Sequence, residues 1–498
     1  MGLLDVERNS RLNLGPDAVL AELQQRASIS WLIGLDSQQV IVRALQYAQS
    51  LGHANLPTVL LAAADPAEFL AGLVAAVSAR CPLVLGNPHW AAAEWQQVVR
   101  LVQPHQIWGD PDLLGTVSAS SCAAPVLQPG WILIPTGGSS GQIRFAIHTW
   151  ETLAAAVAGF RQFFQLESIH SCCVLPLYHV SGLMQFVRSF ISGGQFALLP
   201  FKALETNLAA YRDQFDPGPF FLSLVPTQLQ RLLLIPDAVP WLAAFQTVLL
   251  GGAPAWTSLL QQARHHHLRL APTYGMTETA AQIATLPPET FLQGTSSGYR
   301  ILPHATVEIW DSQGRLVPAG VMGTIAIRAT SLMLGYRAAE PSAGGLSNMA
   351  AFATDDLGFL DGEGGLHIVG RHSQKIITGG ENVFPSEVEA AIRSTGLVTD
   401  VCVVGMPDQT WGEVVTAVYV PASPAVDASA LKAALAPRLS KFKHPKQWIA
   451  MAALPRTPQG KIAIELLKRQ VLQSAPTLLR LHSHAAPTTH DAPETPPN

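Results

Sequence analysis

Within five residues, Tyr274-Gly-Met-Thr277-Glu278 sets an aromatic ring, a hydroxyl and a carboxylate side by side. Such a ring can stack on a purine, the threonine hydroxyl can reach a phosphate oxygen, and a hard carboxylate can bind Mg²⁺ next to it. The same residues read equally well as a tight turn leading into a capped helix, so the choice rests on what else the chain carries. Upstream, Trp131-Ile-Leu-Ile-Pro-Thr136 is an apolar strand that runs into Gly137-Gly138-Ser139-Ser140-Gly141, with a cation at Arg144. A Gly/Ser loop exposes backbone N–H groups and hydroxyls that can surround a polyphosphate. It lacks the Gly-Lys-Ser/Thr of a Walker loop, and in isolation it reads also as a flexible linker.

The elements around these residues follow from pattern. Val59-Leu-Leu-Ala, Pro82-Leu-Val-Leu, Trp131-Ile-Leu-Ile, Cys172-Cys-Val-Leu, Phe220-Phe-Leu-Ser and Thr247-Val-Leu-Leu alternate with amphipathic stretches. That alternation predicts an α/β fold with largely parallel strands. After Gly298 short strands with Gly and Pro turns predict a β-rich subdomain, and from Pro385 a helix–strand–strand–helix order predicts a small α+β unit. The expected organisation is a large N-terminal domain of α/β subdomains plus the β-rich subdomain over residues 1–371. A small mobile α+β domain covers 372–472, and an unstructured tail rich in Ala, Pro, Thr and His covers 473–498.

Composition narrows the partners. A chain of 498 residues that is 48% hydrophobic and 13% charged can bury several cores. A formal net charge of −4 offers no basic field for nucleic acid and no polybasic membrane patch. The expected partner is a small diffusible molecule, and a homo-oligomer is compatible with the composition. The most apolar early stretch, Pro57 to Ala79, is broken by Asp65, Pro66 and Glu68, short of the roughly 18 uncharged residues of a spanning helix. The N-terminus carries acids and lacks the apolar core of a secretory signal, so integral membrane association is not expected and the cytoplasm is the expected location. Five cysteines form no C-x-x-C pair, and His265-His-His267 reads as a solvated patch rather than a zinc site.

Taken together and in this order, the motifs resemble the adenylate-forming superfamily of acyl-CoA synthetases, adenylation domains and luciferases, from about Gly34 to Lys468. The resemblance implies ATP, Mg²⁺ and coenzyme A as the small molecules and a carboxylic acid as the partner that is activated. Thr136, Gly138, Ser139, Ser140, Gly141 and Arg144 match the loop that holds phosphates. Gly137, Ile143 and Arg144 stand where the family has serine, proline and lysine. Arg144 keeps the charge and adds a fork suited to phosphate. Gly251, Gly252 and Ala253 match the adenine shelf, with Tyr274 stacking, Thr277 at the α-phosphate and Glu278 on the metal. Asp356, in Thr354-Asp-Asp356-Leu-Gly358, matches the ribose-binding aspartate, and Asp355 replaces a family glycine.

Gly370-Arg371-His-Ser373 through Glu389 resembles the junction of the two domains. Arg371 there contacts ribose or phosphate, Ser373 is the hinge, and Gly379 and Gly380 approach the thiol tunnel. Leu454-Pro-Arg-Thr-Pro-Gln-Gly460-Lys461-Ile resembles the C-terminal lysine loop, in which Lys461 offsets charge as the adenylate forms. His179, in Pro176-Leu-Tyr-His179-Val-Ser-Gly182, would wall the acyl pocket. The segments 176–188 and 223–233, with Ser373, resemble the o-succinylbenzoate–CoA ligase branch, whose acid has a second carboxylate to be held. Arg188 would hold it through a bidentate pair or else is a surface arginine. Other acyl- or aryl-CoA synthetases, an adenylation enzyme that loads a separate carrier protein, and a non-catalytic nucleotide-binding protein are the alternative readings.

Overall fold

The apolar runs of the first 300 residues form strands buried on both faces, which is why they show no polar alternation. The structure, a computed structural model, describes residues 14–51, 56–109, 127–137, 143–213, 215–294, 297–338, 351–378, 381–408, 411–457 and 461–481. The chain forms two units, Met1–Ser373 and Gln374–Asn498. The elements that carry the argument are, in chain order, β1 (Ile132–Gly137), β2 (Ile143–His148), α1 (Trp150–Phe164), α2 (Val180–Ser192), β3 (Thr247–Leu250), β4 (Leu270–Met276), β5 (Ala281–Thr285), β6 (Gly335–Arg337), β7 (Phe352–Leu360), β8 (Leu366–Arg371), β9 (Val398–Asp408), β10 (Gly412–Pro421) and α3 (Ile464–Leu481).

In the first unit an eight-stranded sheet runs Leu32–Ile33, Phe196–Leu198, His170–Cys173, Phe220–Leu224, β3, β4, β5, Arg300–Ile301. It is parallel up to β4, after which β5 and Arg300–Ile301 are antiparallel. A six-stranded sheet places β6 and β2 at one edge, then β1, Leu83–Leu85, Val59–Ala62 and Gln106–Gly109. Four antiparallel strands, Ala305–Trp310, Gly323–Ala329, β7 and β8, make the β-rich subdomain. The α/β class with a β-rich addition is the architecture the alternation of runs predicts.

Helix α2 is buried at Val180 and at every position from Gly182 to Ser192. A helix buried all round should be apolar all round, yet this one carries Gln185, Arg188 and Ser189. Its start packs so closely on the preceding loop that a β-carbon on Gly182 would sit 2.2 Å from the Pro176 carbonyl oxygen.

The second unit is built on the β9–β10 hairpin, paired from Val398↔Pro421 to Asp408↔Gly412, with Gln447–Ala450 parallel to β10. Helix α3 continues to Leu481, past residue 473 where an unstructured tail was expected. Extending an existing helix adds a hydrogen bond for each residue fixed, which carries α3 through composition that reads as unordered. Among the described residues no helix is long and apolar enough to cross a membrane.

Candidate active site

Three short chain segments meet at the start of the site. β1 and β2 pair Thr136 with Arg144, and the Arg144 Nε donates to Thr136 Oγ1 at 3.1 Å. Its guanidinium lies 4.2 Å above the Tyr336 ring on β6 and 3.7 Å from Glu278 Oε1. The Tyr336 hydroxyl donates to that same Glu278 oxygen at 2.6 Å. Burial, reinforced by the adjacent Glu278 carboxylate, pushes the Tyr336 phenol far above its ordinary range, so it stays a donor. Thr136, Arg144, Thr277 and Glu278 thus lie together. Gly138, Ser139, Ser140 and Gly141 lie outside the described residues.

The Thr277–Thr279 turn is held by its backbone. His148, fully buried at the end of β2, donates Nε2–H to the Thr277 carbonyl at 2.8 Å, while Nδ1 faces Thr152 Oγ1 on α1 at 3.0 Å. Burial lowers its pKa to about 4, so the ring is neutral. Met333 N–H donates to the Glu278 carbonyl at 2.8 Å, and Ser331 Oγ to the Thr279 carbonyl at 2.9 Å. Leaving the turn, Ala280 and Ala281 take φ of 52° and 81°, left-handed conformations that cost alanine of order 1–2 kcal/mol. This backbone doubles back over Gly275, where a β-carbon would meet the Ala281 carbonyl oxygen at 2.0 Å. That contact explains the glycine in Tyr-Gly-Met-Thr-Glu.

A second cluster forms around Asp356, which faces Arg371 across the β7–β8 pair. Tyr274 OH donates to Asp356 Oδ2 at 2.7 Å and Arg371 Nε to Oδ1 at 3.0 Å. Burial and the Asp356 charge push the Tyr274 phenol up. Gly251, Gly252 and Ala253 follow β3, parallel to β4, and Gly252 has φ 81°. A β-carbon on Gly251 would lie 2.4 Å from Thr273 Oγ1, so the shelf and Tyr274 share one narrow edge. Ser373, the last residue of the first unit, gives both its backbone N–H (3.0 Å to Oδ1) and its hydroxyl to Asp355. Asp355, which stands where the family has glycine, therefore bonds to Ser373.

His179 is the N-cap of α2, where Nδ1 accepts the Ser181 N–H at 3.3 Å. Further along α2, Arg188 is 5% exposed, which excludes a surface arginine. Its Nη2 donates to Gln282 Oε1 on β5 at 3.4 Å, its guanidinium covers Phe160 at 4.2 Å, and its Nε has no partner. Burial lowers its pKa from 12.5 to about 9. Among the described residues no carboxylate pairs with it.

In the second unit, Lys461 is exposed on a loop closed by the Arg456↔Ile462 bridge and by Thr457 N–H donating to the Lys461 carbonyl at 2.7 Å. Lys443 pairs with Glu387 at 2.6 Å. Gly379 and Gly380 lie outside the described residues. Tyr336, His148 and Gln282 bond to Glu278, Thr277 and Arg188 from outside the motifs, and no spacing in the sequence announces those contacts.

The AMP-binding enzyme family matches residues 121–337, and the AMP-binding enzyme C-terminal domain matches 387–461. The 2-succinylbenzoate–CoA ligase of Listeria monocytogenes is 32% identical over 369 residues, 72% of this chain and 73% of that one. Among solved structures, the o-succinylbenzoate CoA synthetase of Bacillus subtilis in complex with its acyl-adenylate intermediate superposes with a TM-score of 0.73. It is 25% identical, over 90% of this chain and 97% of that one. The same Bacillus subtilis enzyme with ATP and magnesium ion gives 0.74 at 24% identity, over 90% and 99%, and shares the fold.

Proposed function

This chain belongs to the AMP-binding enzyme family, and from that premise we propose that it joins o-succinylbenzoate to coenzyme A using ATP. As a family member it is an AMP-forming acid–thiol ligase, with ATP, Mg²⁺ and coenzyme A as its small molecules. The observation that carries the choice of acid is Arg188, a buried guanidinium with a free Nε–H and, among the described residues, no carboxylate partner. A buried cation is costly unless it is paired, and a dicarboxylic acid can bring the missing partner while its other carboxylate reacts. Through Gln282 on β5, Arg188 connects to the strand that follows Thr277-Glu278.

In the first half-reaction an oxygen of the reacting carboxylate bonds to the α-phosphorus of ATP, the bond from that phosphorus to pyrophosphate breaks, and acyl-adenylate forms. Thr136 and Arg144, with the Gly138–Gly141 loop, hold the phosphates, and Thr277 faces the α-phosphate. Asp356 and Arg371 hold the ribose, and Tyr274 with Gly251–Ala253 the adenine. Glu278 would hold Mg²⁺, which neutralises phosphate charge. Among the described residues no cluster of three or more His, Cys, Asp or Glu could hold a metal, and one carboxylate suits an ion that takes its remaining ligands from phosphate and water. We assign Lys461 the charge that develops as the carboxylate attacks.

In the second half the coenzyme A sulfur bonds to the acyl carbon, the acyl–phosphate bond breaks, AMP leaves and the thiol proton goes to solvent. Ser373 serves as the hinge for the change between halves, His179 walls the acyl pocket, and Gly379-Gly380 lines the thiol's approach. The cytoplasm, which supplies ATP and coenzyme A, is the location assigned.

The test is AMP release across a panel of acids: o-succinylbenzoate, 4-oxo-4-phenylbutanoate without the ring carboxylate, 2-butanoylbenzoate without the chain carboxylate, simple benzoates and fatty acids. Turnover should be strongest with o-succinylbenzoate. Strong turnover with benzoates or fatty acids and none with o-succinylbenzoate overturns the assignment. Transfer to a carrier protein but not to free coenzyme A would favour an adenylation module instead.

A further inference from the structure

Arg188 belongs to a larger group of unpartnered polar atoms. Gln185 Oε1, Arg188 Nε and Ser189 Oγ are all shut from solvent without a hydrogen-bond partner, and so are both ring nitrogens of His304. Residues 185, 188 and 189 are spaced i, i+3, i+4, so the three side chains leave α2 on one face. His304 precedes the strand Ala305–Trp310 and lies against α1 as well. A β-carbon on Gly159 would lie 1.8 Å from His304 Nδ1, while the next residue, Phe160, carries the Arg188 guanidinium on its ring. Two successive residues of α1 therefore touch His304 and Arg188. Only the lack of a side chain at Gly159 leaves room for the imidazole there.

Unpartnered buried polar atoms each cost of order 1–3 kcal/mol and are rare, and a cluster of them calls for a ligand that completes it. The donors in this cluster are Arg188 Nε–H, Ser189 O–H and one His304 ring N–H. Burial first, and then the charge of Arg188, lowers the His304 pKa to about 4. At neutral pH the ring therefore brings one N–H donor and no second positive charge. A carboxylate has about four lone-pair positions, and a bidentate arginine fills two of them.

We propose that His304, whose ring fits against α1 because residue 159 is glycine, is a specificity-determining residue that donates its ring N–H to the same far carboxylate of the acid that Arg188 binds. This rests on the o-succinylbenzoate reading above and adds the second hand that orients the held carboxylate. With Arg188 as the cation and His304 as a neutral donor, the pocket selects a planar anion over a neutral or extended apolar acyl group.

The test compares His304→Ala and His304→Gln with the unmodified enzyme by steady-state AMP release. The substrates are o-succinylbenzoate and whichever mono-acid analogue retains the reacting carboxylate. His304→Ala should raise KM for o-succinylbenzoate about 10-fold or more, as loss of a hydrogen bond to a charged group does, and leave KM for ATP unchanged. It should leave the mono-acid analogue unaffected, and His304→Gln, which keeps an N–H, should restore part of the loss. Gly159→Ala, which crowds the imidazole without removing it, should shift the same ratio. If Arg188→Met collapses the preference for o-succinylbenzoate over the analogue but neither His304 variant nor Gly159→Ala moves it, His304 is packing and this proposal fails alone. If Arg188→Met leaves the preference intact too, the assignment of the acid fails with it.

Discussion

Arg188→Met should make the protein more stable and the enzyme worse. The fall of the Arg188 pKa from 12.5 to about 9 corresponds to about 5 kcal/mol spent on keeping the charge in the unliganded core. Contact with Phe160 and Gln282 returns only part of that, since a cation on an aromatic face contributes about 0.5–2 kcal/mol. Methionine fills similar volume without the charge, and replacing buried ionic groups by apolar ones stabilises by about 1–4 kcal/mol in favourable cases. The variant should therefore unfold later by calorimetry or at higher urea. Its kcat/KM for o-succinylbenzoate should fall by roughly 30-fold to 1,000-fold, the cost of stranding a carboxylate in a buried site, while turnover of the mono-acid analogue changes little. Bound o-succinylbenzoate should raise the melting temperature of the unmodified enzyme far more than that of the variant. A variant that is less stable and keeps its preference for the dicarboxylic acid would refute the reasoning, because Arg188 would then be a structural residue.

Tyr336→Phe removes the donor to Glu278, and the Mg²⁺ concentration for half-maximal activity should rise about 10-fold, as for other groups that orient a metal ligand; an unchanged requirement would separate Tyr336 from the metal. Lys461→Ala should slow ATP–pyrophosphate exchange by roughly 100-fold or more while thioester formation from supplied acyl-adenylate is largely kept; unchanged exchange would remove Lys461 from the chemistry. His148 has a folded pKa of about 4, below its unfolded value of 6.5, so the unfolded chain takes up the proton first as pH falls. Its contribution is intact above pH 6.5 and is lost toward pH 4, about 2 kcal/mol of it between pH 7 and pH 5, and urea unfolding of His148→Gln at those two pH values should lack that slope.

The parallel strands were legible because burial on both faces forces runs such as Val59-Leu-Leu-Ala and Thr247-Val-Leu-Leu to be apolar throughout. The grouping of Thr136, Arg144, Thr277 and Glu278 was legible because it is local: Thr277 and Glu278 are neighbours, and Thr136 pairs with Arg144 on adjacent strands. Tyr336 was not, since it lies 58 residues beyond Glu278 and reaches it only because β6 adds to the edge of β2. A lone tyrosine in Leu-Gly-Tyr has no spacing that announces a partner. His148 is hidden for the same reason, as its role is a backbone carbonyl 129 residues away. The strands Val398–Asp408 and Gly412–Pro421 of the second unit run through Asp400, Pro407 and Asp408, residue types that are depleted in strands. Cross-strand pairing overrides that local preference and extends both strands.

The two halves of the site differ in how completely their polar groups are satisfied, and that difference bears on what each half determines. In the half proposed to hold the nucleotide, Asp356 already holds Tyr274 and Arg371, Glu278 already holds Tyr336 with Arg144 beside it, and the Thr277 carbonyl already holds His148. Such groups keep their geometry before substrate arrives, which lowers the reorganisation needed when charge moves to the α-phosphate. In the half proposed to hold the acid, Arg188, Ser189 and His304 keep unpartnered atoms that can donate, in a core that is otherwise closely packed. A site left unsatisfied in this way is stabilised most by the ligand that completes it, and it rejects acids that would leave the same groups bare. On the proposed assignment, reaction type is set by residues already bonded to one another and substrate choice by residues that are not, so substitutions in the first group should lower kcat for every acid and substitutions in the second should change which acid is used.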